Sequence, residues 1–284
     1  MLPKPRSERT LVVTDSTASL PQHYVGQPGL KVVNLHIIHS GNSYEENVEV
    51  SYEQCAQWVA AHEPLSTSQP TKQAFVECFN NALSDGYDRV VCCVISSELS
   101  GTYDTAVAAS REASIAVDVI DSGTSGMALG IAVLNGVRTA SKNDPSSAVV
   151  KTIQESCQRS GAFFMVDSLD HLRRGGRLSA PAAAVGTVLG MKPILELSSE
   201  GVIGVAAKVR SRASALNFLF DLAIRKAQEF PSLQFGVHYF GDEGRAHQLA
   251  SRIEQALGSK VQVSPLSTVL GVHVGPGAIA LTFS

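Results

Sequence analysis

Val90-Val91-Cys92-Cys93-Val94-Ile95 is an apolar run that leads directly into the hydroxyl-rich segment Ser96-Ser97-Glu98-Leu99-Ser100-Gly101-Thr102. A short apolar run bounded by small polar residues is typical of a strand buried on both faces. From Thr10 to about Val166, similar runs alternate with amphipathic stretches, which predicts βαβ units around an open parallel sheet. The predicted strands are residues 11–14, 31–38, 90–95, 116–120 and 162–166, and the predicted helices lie near residues 51–62, 71–83, 103–113, 127–141 and 145–159.

Small polar loops follow three of these predicted strands, at residues 15–17, 96–102 and 121–126. In open parallel sheets, ligands bind in the crevice at the carboxyl ends of the strands. Serine, threonine and aspartate also cap helices, and for any single loop capping is the more common reason for their presence. Three such loops together predict a polar crevice at this edge of the sheet.

The composition changes after Val166, where a basic, glycine-interrupted segment precedes a stretch of small apolar residues. Further on, the pattern predicts strands at residues 191–197, 202–209, 233–240 and 260–263, with helices at 211–229 and 242–257. The fold class is therefore α/β, with an open parallel-sheet domain at residues 1–166. A smaller α+β domain is expected at residues 167–284.

Charge and composition exclude several classes of function. The chain has 23 lysines and arginines against 26 aspartates and glutamates, so it has no excess of positive charge that would favour binding to nucleic acid. No apolar run approaches the roughly 20 residues of a membrane-spanning helix, and the polar amino terminus lacks a signal-peptide core. We expect a cytoplasmic protein without stable membrane insertion.

The five cysteines form no C-x-x-C pair, and no spacing of residues in the sequence is typical of a zinc site. We therefore expect reduced thiols, no metal and no cofactor.

Several short motifs, in order and at their spacing, resemble those of DegV-like fatty-acid-binding proteins, which in bacteria are the acyl-binding component of fatty acid kinase. The resemblance covers nearly the whole chain. The motifs are Val13-Thr14-Asp15-Ser16-Thr17-Ala18, Thr67-Ser68-Gln69-Pro70-Thr71, Leu99-Ser100-Gly101-Thr102-Tyr103, Leu172-Arg173-Arg174-Gly175-Gly176-Arg177-Leu178, Met191-Lys192-Pro193-Ile194 and His273-Val274-Gly275-Pro276-Gly277-Ala278.

The resemblance implies a two-domain protein of the EDD fold that buries one long-chain fatty acid between its domains, with the smaller domain closing the acyl site. By motif, Thr67, Ser100 and His273 are the residues implied to hold the carboxylate. Those implied to lie near the head group are Arg177, Ser68, Thr102 and Gly101. In the family, a separate ATP-binding subunit related to dihydroxyacetone kinases phosphorylates the bound acid. The chain itself is then a lipid-binding carrier and not an enzyme.

The sequence departs from the family pattern at three places, none of them among the residues implied to hold the head group. His171 stands where a tyrosine is expected before the leucine of the glycine-rich basic segment. Glu45-Glu46 replaces a single aspartate, and Ile279-Ala280 follows where a glycine often comes. Acyl length preference and partner contacts therefore stay open.

Each site residue also has an ordinary structural explanation. The hydroxyls of Thr67 and Ser100 could cap the helices that begin near Thr71 and Tyr103. An isolated histidine such as His273 is commonly a core residue, and Arg177 could belong to a solvated basic loop. For the acyl chain, residues 182–189 with Met191 and Phe163-Phe164 have the composition of a tunnel lining, although core packing gives the same pattern.

Two enzymatic functions compete with a carrier. A serine hydrolase would use Ser100 with His273, but Ser100 lies in Leu-Ser-Gly-Thr and not in a G-x-S-x-G elbow. A small-molecule kinase would need a phosphate-binding loop, and no G-x-x-x-x-G-K-[ST] motif is present. The carrier remains the favoured function.

Overall fold

The computed structural model describes residues 8–178 and 191–284. Its strands are β1 (Thr10–Asp15), β2 (Leu30–Val33), β3 (His36–His39), β4 (Asn42–Glu45), β5 (Leu65–Ser68), β6 (Arg89–Val94), β7 (Ala116–Asp121), β8 (Gly161–Met165), β9 (Lys192–Leu197), β10 (Ile203–Val209), β11 (Phe235–Phe240), β12 (Val261–Pro265) and β13 (Ala278–Phe283). Its helices are α1 (Tyr52–Ala60), α2 (Lys72–Ser84), α3 (Thr102–Ser110), α4 (Gly126–Ala140), α5 (Ser146–Arg159), α6 (Asp170–Gly175), α7 (Arg212–Glu229), α8 (Glu243–Leu257) and α9 (Thr268–Val274).

The strands form three sheets. The first is a four-stranded, wholly parallel sheet in the order β2-β1-β6-β7, as the alternating pattern predicts. The second has six strands in the order β10-β9-β8-β13-β11-β12, antiparallel except for the β11–β12 pair. A small antiparallel sheet, β4-β3-β5, is the third. The predicted mixed α/β class is confirmed.

Two predicted strands differ from the structure. Residues 162–166, expected in the parallel sheet, form β8, which pairs antiparallel with β9 and β13 in the six-stranded sheet. Residues 31–38, expected as one strand, divide into β2 and β3, which belong to different sheets. Leu35 lies between these two strands, and its backbone N–H donates a hydrogen bond to the Ser16 hydroxyl at 3.0 Å. An apolar run predicts burial but does not specify a pairing partner, which explains both errors.

Helix α4 lies between the parallel and six-stranded sheets and contacts both. Burial from two sides explains why its residues are apolar nearly all round. Its amino end meets β11 through His238, whose Nε2 accepts the Met127 backbone N–H at 2.7 Å. The other ring nitrogen, Nδ1, therefore carries the proton and donates to the Ser264 carbonyl at 3.1 Å. Burial lowers the pKa of His238 to about 4.

Because the His238 imidazole is buried and neutral, we expect the folded protein to lose stability in acid. The pKa of His238 is lower in the folded state than its unfolded value, so its contribution to the free energy of unfolding is complete above about pH 6.5. That contribution is lost as the pH falls towards 4, by up to about 3 kcal/mol. Urea unfolding of the wild type and of His238→Gln at several pH values measures it. The stability advantage of the wild type should shrink between pH 7 and pH 4, and a constant advantage would contradict the assignment.

None of the helices in the described part of the chain is long and apolar enough to cross a membrane.

Candidate functional site

A narrow apolar cavity lies between the carboxyl edge of the parallel sheet and one face of the six-stranded sheet. It encloses about 840 Å³ of empty space, its opening to solvent included. Little of this space is wide enough to hold a water molecule, so the cavity is narrow. Its apolar lining includes Leu35, Ile95, Leu99, Phe164, Leu197 and Ile203.

Strand alternation decides which residues reach this cavity. Phe164 on β8 and Ala280 on β13 are paired neighbours and both line it. Phe163 points to the opposite face, where its ring stacks with that of Phe283 at a centroid distance of 6.2 Å. Of the two phenylalanines expected in a tunnel lining, Phe164 therefore lines this cavity and Phe163 does not. Met191 is not among the lining residues, and residues 182–189 lie outside the described part of the chain.

Thr67 and His273 meet at one end of the cavity. Thr67 lies on β5 opposite Ile37 of β3, and His273 lies in the last turn of α9. The Thr67 Oγ1 and His273 Nε2 atoms are 2.8 Å apart, a hydrogen bond between residues 206 positions apart in sequence. Gly175 makes room for the ring, because a Cβ atom on it would lie 2.2 Å from His273 Nδ1. The imidazole is thus held at a defined place in the cavity wall.

The imidazole of His273 is neutral near pH 7. Burial, assisted by the positive charge of Arg177, lowers its pKa to about 4. A neutral ring has one donor and one acceptor nitrogen. His273 can therefore donate one hydrogen bond to an oxygen ligand without carrying a charge of its own.

Arg177 connects the glycine-rich basic segment to the loop after β6. Its Nη1 donates to the Gly175 carbonyl at 2.6 Å, and its Nε donates to the Leu99 carbonyl at 3.2 Å. The guanidinium is partly buried and lines the cavity beside His273. It is thus a positioned cation and not a freely solvated one.

Ser100 lies on the same loop and also lines the cavity. Its hydroxyl is 2.8 Å from that of the fully buried Thr102. Neither predicted head-group hydroxyl caps a helix. Thr71 caps α2 by accepting the Ala74 backbone N–H at 3.1 Å, and the residue that precedes α3 is Gly101, so α3 has no side-chain cap. The capping explanations of Thr67 and Ser100 are therefore wrong.

The other predicted head-group neighbours surround this end of the cavity. Ser68 lines it directly, as does Gln69. Gly101 packs beneath the Gln69 amide, since a Cβ atom on it would lie 3.0 Å from Gln69 Nε2. Gly101 and Thr102 thus support Gln69 and Ser100 from behind and are not themselves part of the lining.

The three polar loops at the sheet edge have different roles. The first loop makes hydrogen bonds within the protein core: the Asp15 carboxylate accepts the backbone N–H of Thr17 at 2.8 Å and that of Ile95 at 2.7 Å. Burial raises the pKa of Asp15 to about 6. The second loop supplies Ser100, and the third supplies Ser125 beside Gly126 and His238. The contribution of His238 was missed, because a histidine within the apolar run of β11 gives no signal beyond core packing.

A second cavity adjoins the same polar end. Thr67, Arg177 and His273 line both cavities, and the second also includes Glu63, His171 and the exposed Arg174. Thr67, Arg177 and His273 therefore stand between the narrow apolar cavity and a vestibule that reaches the protein surface. In the described ranges, His, Cys, Asp and Glu side chains form no group of three or more suited to a metal ion.

The family model described as "Uncharacterised protein, DegV family" matches residues 9–284. A DegV domain-containing protein of Streptomyces coelicolor is 35% identical over 280 residues, covering 98% of this chain and 99% of the relative. The chain belongs to the DegV family.

Two solved structures share the fold. A DegV family protein from Thermus thermophilus, described by its fatty acid binding, matches with a TM-score of 0.89 and 29% identity, over 97% of this chain and 99% of that one. DegV from Bacillus subtilis, described as a fatty acid binding protein, matches with a TM-score of 0.88 and 30% identity, over 98% and 99%. The DegV-like fold predicted from the motifs is confirmed.

Proposed function

We propose that this protein binds one long-chain fatty acid, with its chain in the narrow apolar cavity and its carboxylate at Thr67, Ser100 and His273. The observation that carries the proposal is the hydroxyl–imidazole pair at one end of that cavity. Burying a methylene is worth about 0.8 kcal/mol, so the hydrocarbon chain supplies most of the affinity. The polar residues then set the position of the head group.

The head-group residues have the hydrogen-bonding capacity that a buried carboxylate needs. A carboxylate accepts hydrogen bonds only, and leaving it unsatisfied costs several kcal/mol. Thr67, Ser100 and the neutral His273 together carry three polar hydrogens, and the Thr67–His273 hydrogen bond uses one of them, which leaves two for the carboxylate. A bound carboxylate would favour the protonated imidazole and raise the pKa of His273 from about 4. Arg177 beside it keeps the carboxylate ionised.

The proposal extends to presentation of the acid to a separate ATP-dependent kinase subunit, which would form an acyl phosphate. The motif resemblance supports this step, and so does the lack of a phosphate-binding loop motif in the sequence. The vestibule gives the carboxylate a route to the surface past Arg177 and Arg174. This chain would then bind and orient the acid while its partner supplies ATP.

The hydrogen-bond pairing disfavours a serine hydrolase. Such an enzyme needs its serine hydroxyl bonded to a histidine base. Here the Ser100 hydroxyl pairs with Thr102 at 2.8 Å, whereas His273 pairs with Thr67. The carrier function needs no bond between Ser100 and His273.

Thr67→Ala and Ser100→Ala should each lower fatty acid affinity by about tenfold, the worth of one hydrogen bond to a charged group. Acyl phosphate formation with the kinase subunit should fall much further, because each hydroxyl orients the reacting carboxylate. Calorimetric titration of delipidated protein measures the first effect and a coupled assay the second. Ser97→Ala, an exposed serine of the same loop, is the matched control. Equal losses of binding and of product would argue against this division of labour.

A further inference from the structure

We propose that Glu46 is a positioning residue of the head-group site, whose buried carboxylate fixes the amino end of α9 and thereby holds His273 against Thr67. The inference rests on the proposed function for its consequence in fatty acid binding. Its structural basis is independent of any ligand.

Glu46 is a fully buried carboxylate, with 0% of its surface exposed. Its Oε1 accepts the Thr268 hydroxyl at 2.8 Å and the Val269 backbone N–H at 3.3 Å, and its Oε2 accepts the Ser267 hydroxyl at 3.0 Å. All three donors belong to the start of α9. A buried carboxylate is costly unless hydrogen-bonded, and negative charge at a helix amino end is favourable. These three hydrogen bonds therefore hold the start of α9 in place against the Glu46 side chain.

The backbone around Glu46 gives this anchor a fixed base. The Glu46 backbone N–H donates to the Leu35 carbonyl at 2.9 Å, and Glu46 forms an isolated bridge with Val50. Leu35 itself is buried and lines the apolar cavity. The carboxylate thus ties α9 to the small β4-β3-β5 sheet that also carries Thr67 on β5.

Helix α9 transmits this constraint to His273 because it is short. It has seven residues, so at 1.5 Å per residue it is about 10 Å long and behaves as a rigid rod. Glu46 fixes one end, and the imidazole projects from the last turn at the other. A change in tilt at the Glu46 end would move the imidazole away from Thr67 Oγ1.

The neighbouring Glu45 has no such role and provides a matched control. Its Oε1 accepts the Asn34 side-chain N–H at 3.0 Å, away from α9, and it is only partly buried. The contacts therefore assign the α9 anchor to Glu46 and not to Glu45. Asp15 and Cys55 are titratable groups near Glu46, and the pKa of each is raised mainly by burial and further by the charge of Glu46.

The test compares Glu46→Gln with Glu45→Gln in fatty acid affinity and in the pKa of His273 measured by NMR in the folded protein without ligand. Glu46→Gln should lower the affinity about tenfold, and Glu45→Gln less than twofold. The pKa of His273 should rise from about 4 towards 6.5 in Glu46→Gln only, because a displaced imidazole is more hydrated. A general loss of stability would not move this pKa.

A double-mutant cycle separates positioning from other effects. In a His273→Ala background, Glu46→Gln should cause no further loss of affinity, since the residue it positions is gone. A full additional loss, or an unchanged pKa of His273, would overturn the proposal. If Glu46→Gln does not fold, Thr268→Ala removes one of the three bonds and is subject to the same two measurements. If the wild type binds no fatty acid, the proposed function fails, while the pKa comparison still decides whether Glu46 positions His273.

Discussion

Arg177→Ala is expected to retain fatty acid binding but to lose acyl phosphate formation by roughly 100-fold or more, the usual cost of removing one group that stabilises developing charge. Affinity should survive because the hydrocarbon chain supplies most of it. Acyl phosphate formation should fall, because Arg177 is a partly buried cation that lines both the apolar cavity and the vestibule. Its guanidinium is held in place by the carbonyls of Gly175 and Leu99.

The measurement is acyl phosphate produced from loaded protein, ATP and the separate kinase subunit. Arg177→Lys keeps the positive charge but loses the planar guanidinium with its paired N–H donors, so it should retain only part of the activity. Arg225→Ala removes an exposed arginine of α7 and serves as the control. Wild-type rates for Arg177→Ala would contradict the assignment, as would ATP turnover with a fatty acid by this chain alone.

Ala280→Phe is expected to block the cavity and to weaken binding of a long-chain acid by about 200-fold, if four methylenes are excluded at 0.8 kcal/mol each. Ala280 is 5% exposed, lines the cavity and lies between Phe164 and His238 in the six-stranded sheet. A phenyl ring there fills space that the chain would occupy. Short-chain acids should lose much less affinity.

Calorimetric titration with acids of different length measures this effect. Leu281→Met changes the next residue of β13, which packs in the core on the opposite face of the sheet. It should bind as the wild type does. Unchanged affinity of Ala280→Phe for long-chain acids would mean that the chain does not occupy this cavity.

Much of the fold follows from the sequence pattern because burial has a period that can be read along the chain. The runs at residues 11–14 and 90–95 predict the parallel sheet correctly. The run that forms β8 is equally apolar, yet it pairs with β9 and β13. Pairing depends on residues far apart in sequence, and the period of burial does not encode it. Helix α9 is short and ends at a glycine, so its pattern resembles a loop.

The site could be predicted only in part for the same reason. Hydroxyls after strands indicate a polar sheet edge, but the contact of Thr67 with His273 joins distant segments, and only the family resemblance predicts it. The sequence does not indicate that Glu46 is buried, because an acidic residue after an exposed strand is usually solvated. Its burial results from α9 packing over it.

Native mass spectrometry of protein purified from cells shows whether this chain carries a fatty acid. We expect one adduct per chain, with the mass of a long-chain fatty acid, which is lost on delipidation and restored by adding that acid. Protein that carries no such adduct, and that also takes up no fatty acid after delipidation, would contradict this expectation.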